Sequence, residues 1–188
     1  MAEFAFSLDA APVLGAADLT LGENRIVERS DLALVSIATP LGGTDALATA
    51  LKTGWGLSLP DATLSSVSAD TRALRTAPDQ MLLIFPHGAP DADAMVKEKL
   101  GTAGYTTDQT DVWAVLELSG PATLAALERL CPLDAAAMPR NGAARTVMEH
   151  MGAMIIRLGP DRFQVLSASS SAQSFLNAVE TSYGYVSG

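Results

Sequence analysis

The clearest alternation of hydrophobic and polar positions lies in residues 112–118, near the middle of the chain. Trp113, Val115 and Glu117 alternate there with small or aliphatic residues, a period of two that predicts a strand. Ser-Gly-Pro at residues 119–121 then supplies a helix start, because a small cap and a proline both suit the first turn. Apolar residues recur at helical spacing until Pro132, so a helix is predicted to end there.

A similar order of elements precedes this stretch. Residues 32–39 form an aliphatic strand pattern, and residues 42–45 open a helix that ends at Gly54 and Gly56. Further on, the patterns predict a weak strand, an apolar strand buried on both faces and a short helix, at residues 71–76, 80–85 and 91–100. The second half continues with three predicted strands and a helix, at residues 142–149, 154–158, 163–167 and 171–183, with a turn at Gly152.

The two halves match at nearly constant offsets. The turn at residues 78–81 matches that at 160–163 with an offset of 82, and residues 33–37 match 114–118 with an offset of 81. This agreement predicts an α+β protein of two similar strand-helix-strand-strand-helix, ferredoxin-like units, each an antiparallel sheet with helices packed on one face. The predicted divisions are an N-terminal arm at 1–30 and units at 31–110 and 111–188, which together form one intertwined domain.

Two apolar segments lie outside this repeat and are candidates for a partner interface. The arm carries Phe4 and Phe6, and the end of the chain carries Tyr183 and Tyr185. Only 18% of the residues are charged, below the ~25% typical of soluble domains, which favours some apolar surface covered by a partner. The alternative, that both segments fold back on the chain's own core, remains open.

Composition narrows the class of protein. The chain has 188 residues, of which 48% are hydrophobic, and its net charge of -9 combines 12 basic with 21 acidic residues. Scattered basic residues in an acidic chain argue against nucleic-acid binding. The single cysteine, Cys131, excludes an intrachain disulfide, and no segment approaches the ~20 apolar residues of a membrane span. We therefore expect a soluble cytoplasmic protein.

No set of residues predicts catalysis, cofactor binding or metal binding. His87 and His150 have no acidic or thiol partner at a motif spacing. Cys131 lies at the C-terminal end of a predicted helix, where the dipole disfavours a thiolate. The glycines at residues 42–43 and 119–121 complete no phosphate-binding motif, and Asp79 and Asp161 are predicted turn residues.

The chain resembles the gamma subunits of heterotetrameric sarcosine oxidase over about residues 47–183. The likeness rests on the segments WAVLELSGP, LCPLD, Arg145-Thr146 and GPDRF, at residues 113–121, 130–134, 145–146 and 159–163. This family looks like a shortened relative of the folate-binding aminomethyltransferase fold, which agrees with the repeat.

The resemblance implies a role in an enzyme complex, an oxidoreductase that acts on CH–NH donors with oxygen. The complex converts sarcosine to glycine and passes the one-carbon unit to tetrahydrofolate. FAD, FMN, NAD, zinc and the folate are implied on the alpha, beta and delta subunits, and the gamma chain is implied to be an accessory subunit without cofactor or catalytic residue. Two other functions stay open, a free-standing folate-binding protein of the aminomethyltransferase type and a small-molecule sensor domain.

Overall fold

A computed structural model describes residues 11–186. Phe4 and Phe6 of the predicted interface lie outside this range. In the described part, the chain begins with strands β1 (Asp18–Leu21), β2 (Asn24–Glu28) and β3 (Leu32–Ala38). The first unit continues with α1 (Thr44–Trp55), β4 (Ser66–Ser68), β5 (Thr71–Ala77), β6 (Gln80–Pro86), α2 (Ala92–Leu100) and β7 (Tyr105–Asp108). The second consists of β8 (Trp113–Ser119), α3 (Thr123–Leu130), β9 (Ala143–Met148), β10 (Met151–Gly159), β11 (Arg162–Ala168) and α4 (Ala172–Val186).

The strands form two antiparallel sheets. The first sheet has the order β4-β5-β6-β3-β7 and the second has the order β1-β2-β8-β11-β10-β9. Without the short edge strand β4, the first unit runs strand-helix-strand-strand-helix-strand, the ferredoxin-like order. The predicted α+β class with antiparallel sheets is confirmed.

The two sheets pack face to face between two layers of helices. Alternate residues of β3 point to opposite faces, so Leu34 enters the apolar layer between the sheets while Val35 and Ile37 face α1 and α2. The layer between the sheets is completed from the second sheet by Val115, Met154 and Leu166. On the outer face of the second sheet, Phe163 packs with Leu127 of α3 and Phe175 and Val179 of α4. Burial on both faces explains why the central strands are almost continuously apolar.

The pairing registers prove that the two units are equivalent. In the first unit Leu32 of β3 pairs with Pro86 of β6, and in the second Trp113 of β8 pairs with Ala168 of β11. These pairs are related by the same offsets, 81 and 82, that the sequence pattern predicts. The repeat therefore extends from the elements to the individual backbone pairs.

One strand of each sheet lies directly before the first strand of the other unit in the chain. Strand β7 pairs with β3 of the first sheet but leads into β8 of the second, whereas β2 pairs with β8 but leads into β3. The first residue after each of these strands is held in the same way, since the Gln109 N–H donates to the Leu34 carbonyl at 2.7 Å and the Arg29 N–H to the Val115 carbonyl at 2.8 Å. This exchange intertwines the two units.

Residues 18–28 of the predicted N-terminal arm form the hairpin of β1 and β2. Only glycine fits at position 120, where the hairpin meets the start of α3, because a Cβ there would lie 2.6 Å from the Asn24 Oδ1 and the Glu23 carbonyl oxygen. The Asn24 Oδ1 in turn accepts a hydrogen bond from the Ala122 N–H at 2.8 Å. Residues 18–28 are thus an integral part of the second sheet.

The turn predicted at Gly152 is wrong, because Gly152 lies inside β10. The hairpin of β9 and β10 turns instead at Glu149 and His150, which both have positive φ, at 46° and 68°. Two-residue hairpins favour this conformation, although glycine and asparagine adopt it more readily. The sequence gives no glycine signal at this turn, so the pattern alone could not locate it.

Candidate functional site

The structure separates the two tyrosines of the predicted interface. Tyr183 is fully buried against α3, where its hydroxyl donates to the Thr123 Oγ1 at 2.8 Å and Thr123 donates to the Gly120 carbonyl at 2.7 Å. Burial raises the pKa of Tyr183, so the phenol stays protonated. Tyr183 is therefore a core residue, which corrects its assignment to a partner surface.

Tyr185 is 70% exposed and lies two residues further along α4. The guanidinium of Arg129 lies over its ring at 4.6 Å from the centroid, a cation–π contact between α3 and α4. An open cavity of about 290 Å³ adjoins this pair and is lined also by Glu149, Asn177 and Thr181. An exposed aromatic ring with an arginine beside a shallow groove is typical of residues at protein interfaces.

A second cavity of about 380 Å³ lies between the start of α1 and the turn that joins β5 to β6. Its lining includes Thr39, Thr44, Arg75, Asp79 and Met81. The Arg75 guanidinium is already bonded to the carbonyls of Pro60 and Pro78, at 3.2 and 2.8 Å. No aromatic residue is among the described residues that line this cavity, so a flat heterocycle would find no ring to stack on there.

An ionic network joins the two units at one end of the layer between the sheets. Glu117 of β8 accepts hydrogen bonds at 2.7 Å from both Arg29 and Arg162, and Arg29 also pairs with Asp31 at 2.8 Å. Burial alone would raise the pKa of Glu117, but the hydrogen bonds and charges of Arg162 and Arg29 together hold it below its ordinary value. Because Arg29 directly follows β2, its bond to Glu117 fixes the end of β2 against β8.

The surroundings of the two histidines and of Cys131 do not favour a catalytic role. His87 Nε2 lies 2.6 Å from the carboxylate of Asp91, the residue directly before α2. His150 is an exposed turn residue. Burial raises the pKa of Cys131, whose Sγ donates to the Leu127 carbonyl at 3.4 Å. A protonated, buried thiol is a poor nucleophile.

Other candidate residues lie apart. Asp79 and Asp161 occupy equivalent turns in different sheets, where their carbonyls accept from the Thr39 and Gly120 N–H groups at 2.8 and 3.1 Å. Within residues 11–186, no cluster of three or more histidine, cysteine or acidic residues is arranged to hold a metal ion. No described helix has the length and apolar character that a membrane crossing requires.

Comparison with known proteins relates the chain to a set of oxidase subunits, although no family model matches it. It is 33% identical over 126 residues to the sarcosine oxidase subunit gamma of an Arthrobacter species, and 32% identical over 131 residues to that of Corynebacterium strain P-1. These matches cover 66% and 69% of this chain but 61% and 64% of those relatives' own lengths. The subunit from Corynebacterium strain U-96 is 27% identical over 90% of this chain and 81% of its own length. The chain is a homologue of the sarcosine oxidase gamma subunits.

Two solved structures have the same fold as this chain. A chain of the heterotetrameric sarcosine oxidase from Corynebacterium strain U-96 superposes with a TM-score of 0.76 at 23% identity, over 89% of this chain and 88% of that one. The aminomethyltransferase T of Bartonella henselae superposes with a TM-score of 0.55 at 15% identity, over 81% of this chain but 44% of its own. The predicted aminomethyltransferase-like fold is confirmed.

Proposed function

We propose that the chain is the accessory, non-catalytic gamma subunit of a sarcosine oxidase complex. The observation that carries the proposal is the similarity to three proteins named as gamma subunits, which extends over as much as 90% of this chain. The complex would oxidise sarcosine to glycine at the expense of oxygen and transfer the one-carbon unit to tetrahydrofolate. Its larger alpha and beta subunits and its delta subunit would be the partners of this chain.

In this proposal the cofactors reside on the partner subunits. FAD, FMN, NAD, zinc and tetrahydrofolate would be bound there, and this chain would contribute contact surface and stability to the assembly. The properties of its own residues support such a role. Cys131 is held protonated by burial, His87 is paired with Asp91, and Tyr185 presents an exposed ring.

The alternative function is a free-standing folate-binding protein of the aminomethyltransferase type. The likeness to aminomethyltransferase T favours it, but this chain spans only 44% of that protein. The cavity at the start of α1 disfavours it, because pterin-sized ligands are normally enclosed by apolar and aromatic side chains. The described lining of that cavity includes apolar residues, among them Leu41, Leu59 and Met81, but no aromatic residue.

Two measurements on one preparation distinguish these functions. Isothermal titration of the isolated chain with tetrahydrofolate is expected to give no binding at micromolar concentrations. Addition of the chain to the partner subunits, produced without it, is expected to restore a stable complex with sarcosine-dependent oxygen consumption. Micromolar folate binding together with no assembly would contradict the proposal and favour the alternative.

A further inference from the structure

Most arginines in the described part of the chain have their charge compensated locally. Arg25, Arg29 and Arg162 form ion pairs with carboxylates. Arg75, Arg145 and Arg157 donate to backbone carbonyls, and Arg129 lies over the Tyr185 ring. Two neighbouring arginines, Arg72 and Arg140, depart from this pattern.

Arg72 is a half-buried cation without an acidic partner in the described structure. It lies on β5 and donates from Nη1 to the Ser65 Oγ and, at 3.3 Å, to the Asn141 Oδ1. Ser65 and Asn141 belong to different units and are themselves joined, since the Ser65 N–H and Oγ both donate to the Asn141 carbonyl, at 2.9 and 2.8 Å. The guanidinium is therefore held in a fixed position at a junction of the two units.

Arg140 brings a second positive charge to the same place. Its side chain is exposed and makes no hydrogen bond or ion pair to any residue in the range 11–186. Burial, and then the charge of Arg140, lower the pKa of Arg72 below its ordinary value. Arg140 directly precedes Asn141, to which Arg72 is bonded, and the two positive charges repel each other in the absence of an anion, while a half-buried charge without a counter-ion is unfavourable.

Exposed apolar side chains flank the two arginines. Val67 pairs with Arg72 across β4 and β5 and so lies on the same face of the sheet, and it is 41% exposed. Leu64 bridges to Gly142, beside Asn141, and is also 41% exposed. Strand β4 is an edge strand, so its outer side has backbone groups that no other described strand pairs.

We propose that this surface, formed by Leu64, Val67, Arg72 and Arg140, binds an acidic segment of a partner subunit. The proposal rests on the proposed function, because it takes the occupant to be a subunit of the same complex. Charge complementarity selects the occupant, since a carboxylate bound beside the two arginines would offset the repulsion between their charges. The apolar neighbours would exclude water from the ion pair, which strengthens it.

The test measures the affinity of the chain for the partner subunits, produced without it, by biolayer interferometry at several salt concentrations. Arg140→Gln is expected to weaken binding about ten-fold or more and to flatten the salt dependence, and Arg140→Glu to weaken it further. Arg140→Lys keeps the charge and is expected to retain most of the affinity. Lys97→Gln, which removes an exposed charge from α2, is the matched control and should bind like the parent.

Arg140 is exposed and unbonded, so these variants are expected to fold and melt like the parent, which a thermal scan checks. If the parent binds and both Arg140→Gln and Arg140→Glu bind within about two-fold of it, this inference is wrong while the proposed function stands. If Lys97→Gln weakens binding as much as Arg140→Gln, the effect is one of net charge and the inference is also wrong. If the parent itself does not bind, the proposed function is wrong and the inference falls with it.

Discussion

Arg75 and Arg157 are structural equivalents that lie 82 residues apart. Each is the last residue in register before its strand is interrupted, between Arg75 and Ala77 in β5 and between Arg157 and Gly159 in β10. Each also donates to the carbonyl of the proline in the following turn, Pro78 or Pro160, at 2.8 and 3.1 Å. The repeat therefore includes the bulge, the turn and the side chain that ties them together.

The two arginines are expected to differ in their contribution to stability. Arg157 also donates to the carbonyls of Ala136 and Met138, at 2.8 and 2.6 Å, and so holds the loop between α3 and β9. Arg157→Ala should lower the free energy of unfolding by about 2–3 kcal/mol and Arg75→Ala by about 1 kcal/mol, because Arg157 makes more charged hydrogen bonds than Arg75. Urea denaturation of both variants measures the difference. Equal losses would show that the loop contacts of Arg157 contribute little.

Tyr183 and Tyr185 are expected to respond in opposite ways to substitution. Tyr183→Ser removes a buried ring and should cost about 3–5 kcal/mol of stability, whereas Tyr183→Phe loses only a hydrogen bond, about 1 kcal/mol. Tyr185→Ser should stay within about 0.5 kcal/mol of the parent, because its ring is exposed. Thermal unfolding checks all three. A Tyr183→Ser variant as stable as the parent would contradict the burial of that ring.

The hairpin turn at Glu149 and His150 offers a stabilising change. His150 has a φ of 68°, which glycine adopts without the strain of a side chain. His150→Gly should therefore raise the free energy of unfolding by about 1 kcal/mol, and His150→Ala, which removes the same ring but keeps Cβ, should not. Chemical denaturation of the two variants isolates the backbone effect. A loss of stability in His150→Gly would mean that the imidazole has a role in the fold.

The Glu117 network predicts a pH dependence of stability. Because its folded pKa is lowered from an unfolded value near 4.5, the ionised carboxylate contributes stability that is present above pH 4.5 and is lost as the pH falls through the folded pKa. Glu117→Gln should cost about 1–2 kcal/mol at neutral pH. The difference from the parent should shrink progressively below pH 4.5. Unfolding curves measured between pH 3 and pH 7 check this, and a difference independent of pH would exclude the ion pairs as its source.

Local patterns predicted the elements of the repeat well and their partners poorly. The alternation at residues 112–118 marks β8, and the two offsets reproduce the observed registers. No local pattern shows that β2 pairs with β8 rather than with β3, because the exchange depends on how the sheets are packed. Strand β4 has three residues, Ser66–Ser68, which is too short for a period to be visible.

The candidate surfaces show the same limit. An exposed Tyr185 and a buried Tyr183 have indistinguishable signals in a sequence, since both are aromatic residues near the end of a helix. Their spacing of two places them on different sides of α4, and only the position of α3 decides which side is buried. Arg72 and Arg140 are 68 residues apart and become neighbours only through the contact of residues 63–65 with 141–143. Phe4 and Phe6 stay a prediction, which deletion of residues 1–10 would test through assembly.

Purification of the tagged chain from its native cell shows whether it belongs to a sarcosine oxidase complex. The mass, subunit ratio and visible spectrum of the purified material are measured together with its oxygen consumption on addition of sarcosine. The expected result is a yellow complex in which this chain is present once with larger flavin-carrying chains, and which consumes oxygen with sarcosine. Recovery of the chain alone, colourless and without sarcosine-dependent activity, would contradict it.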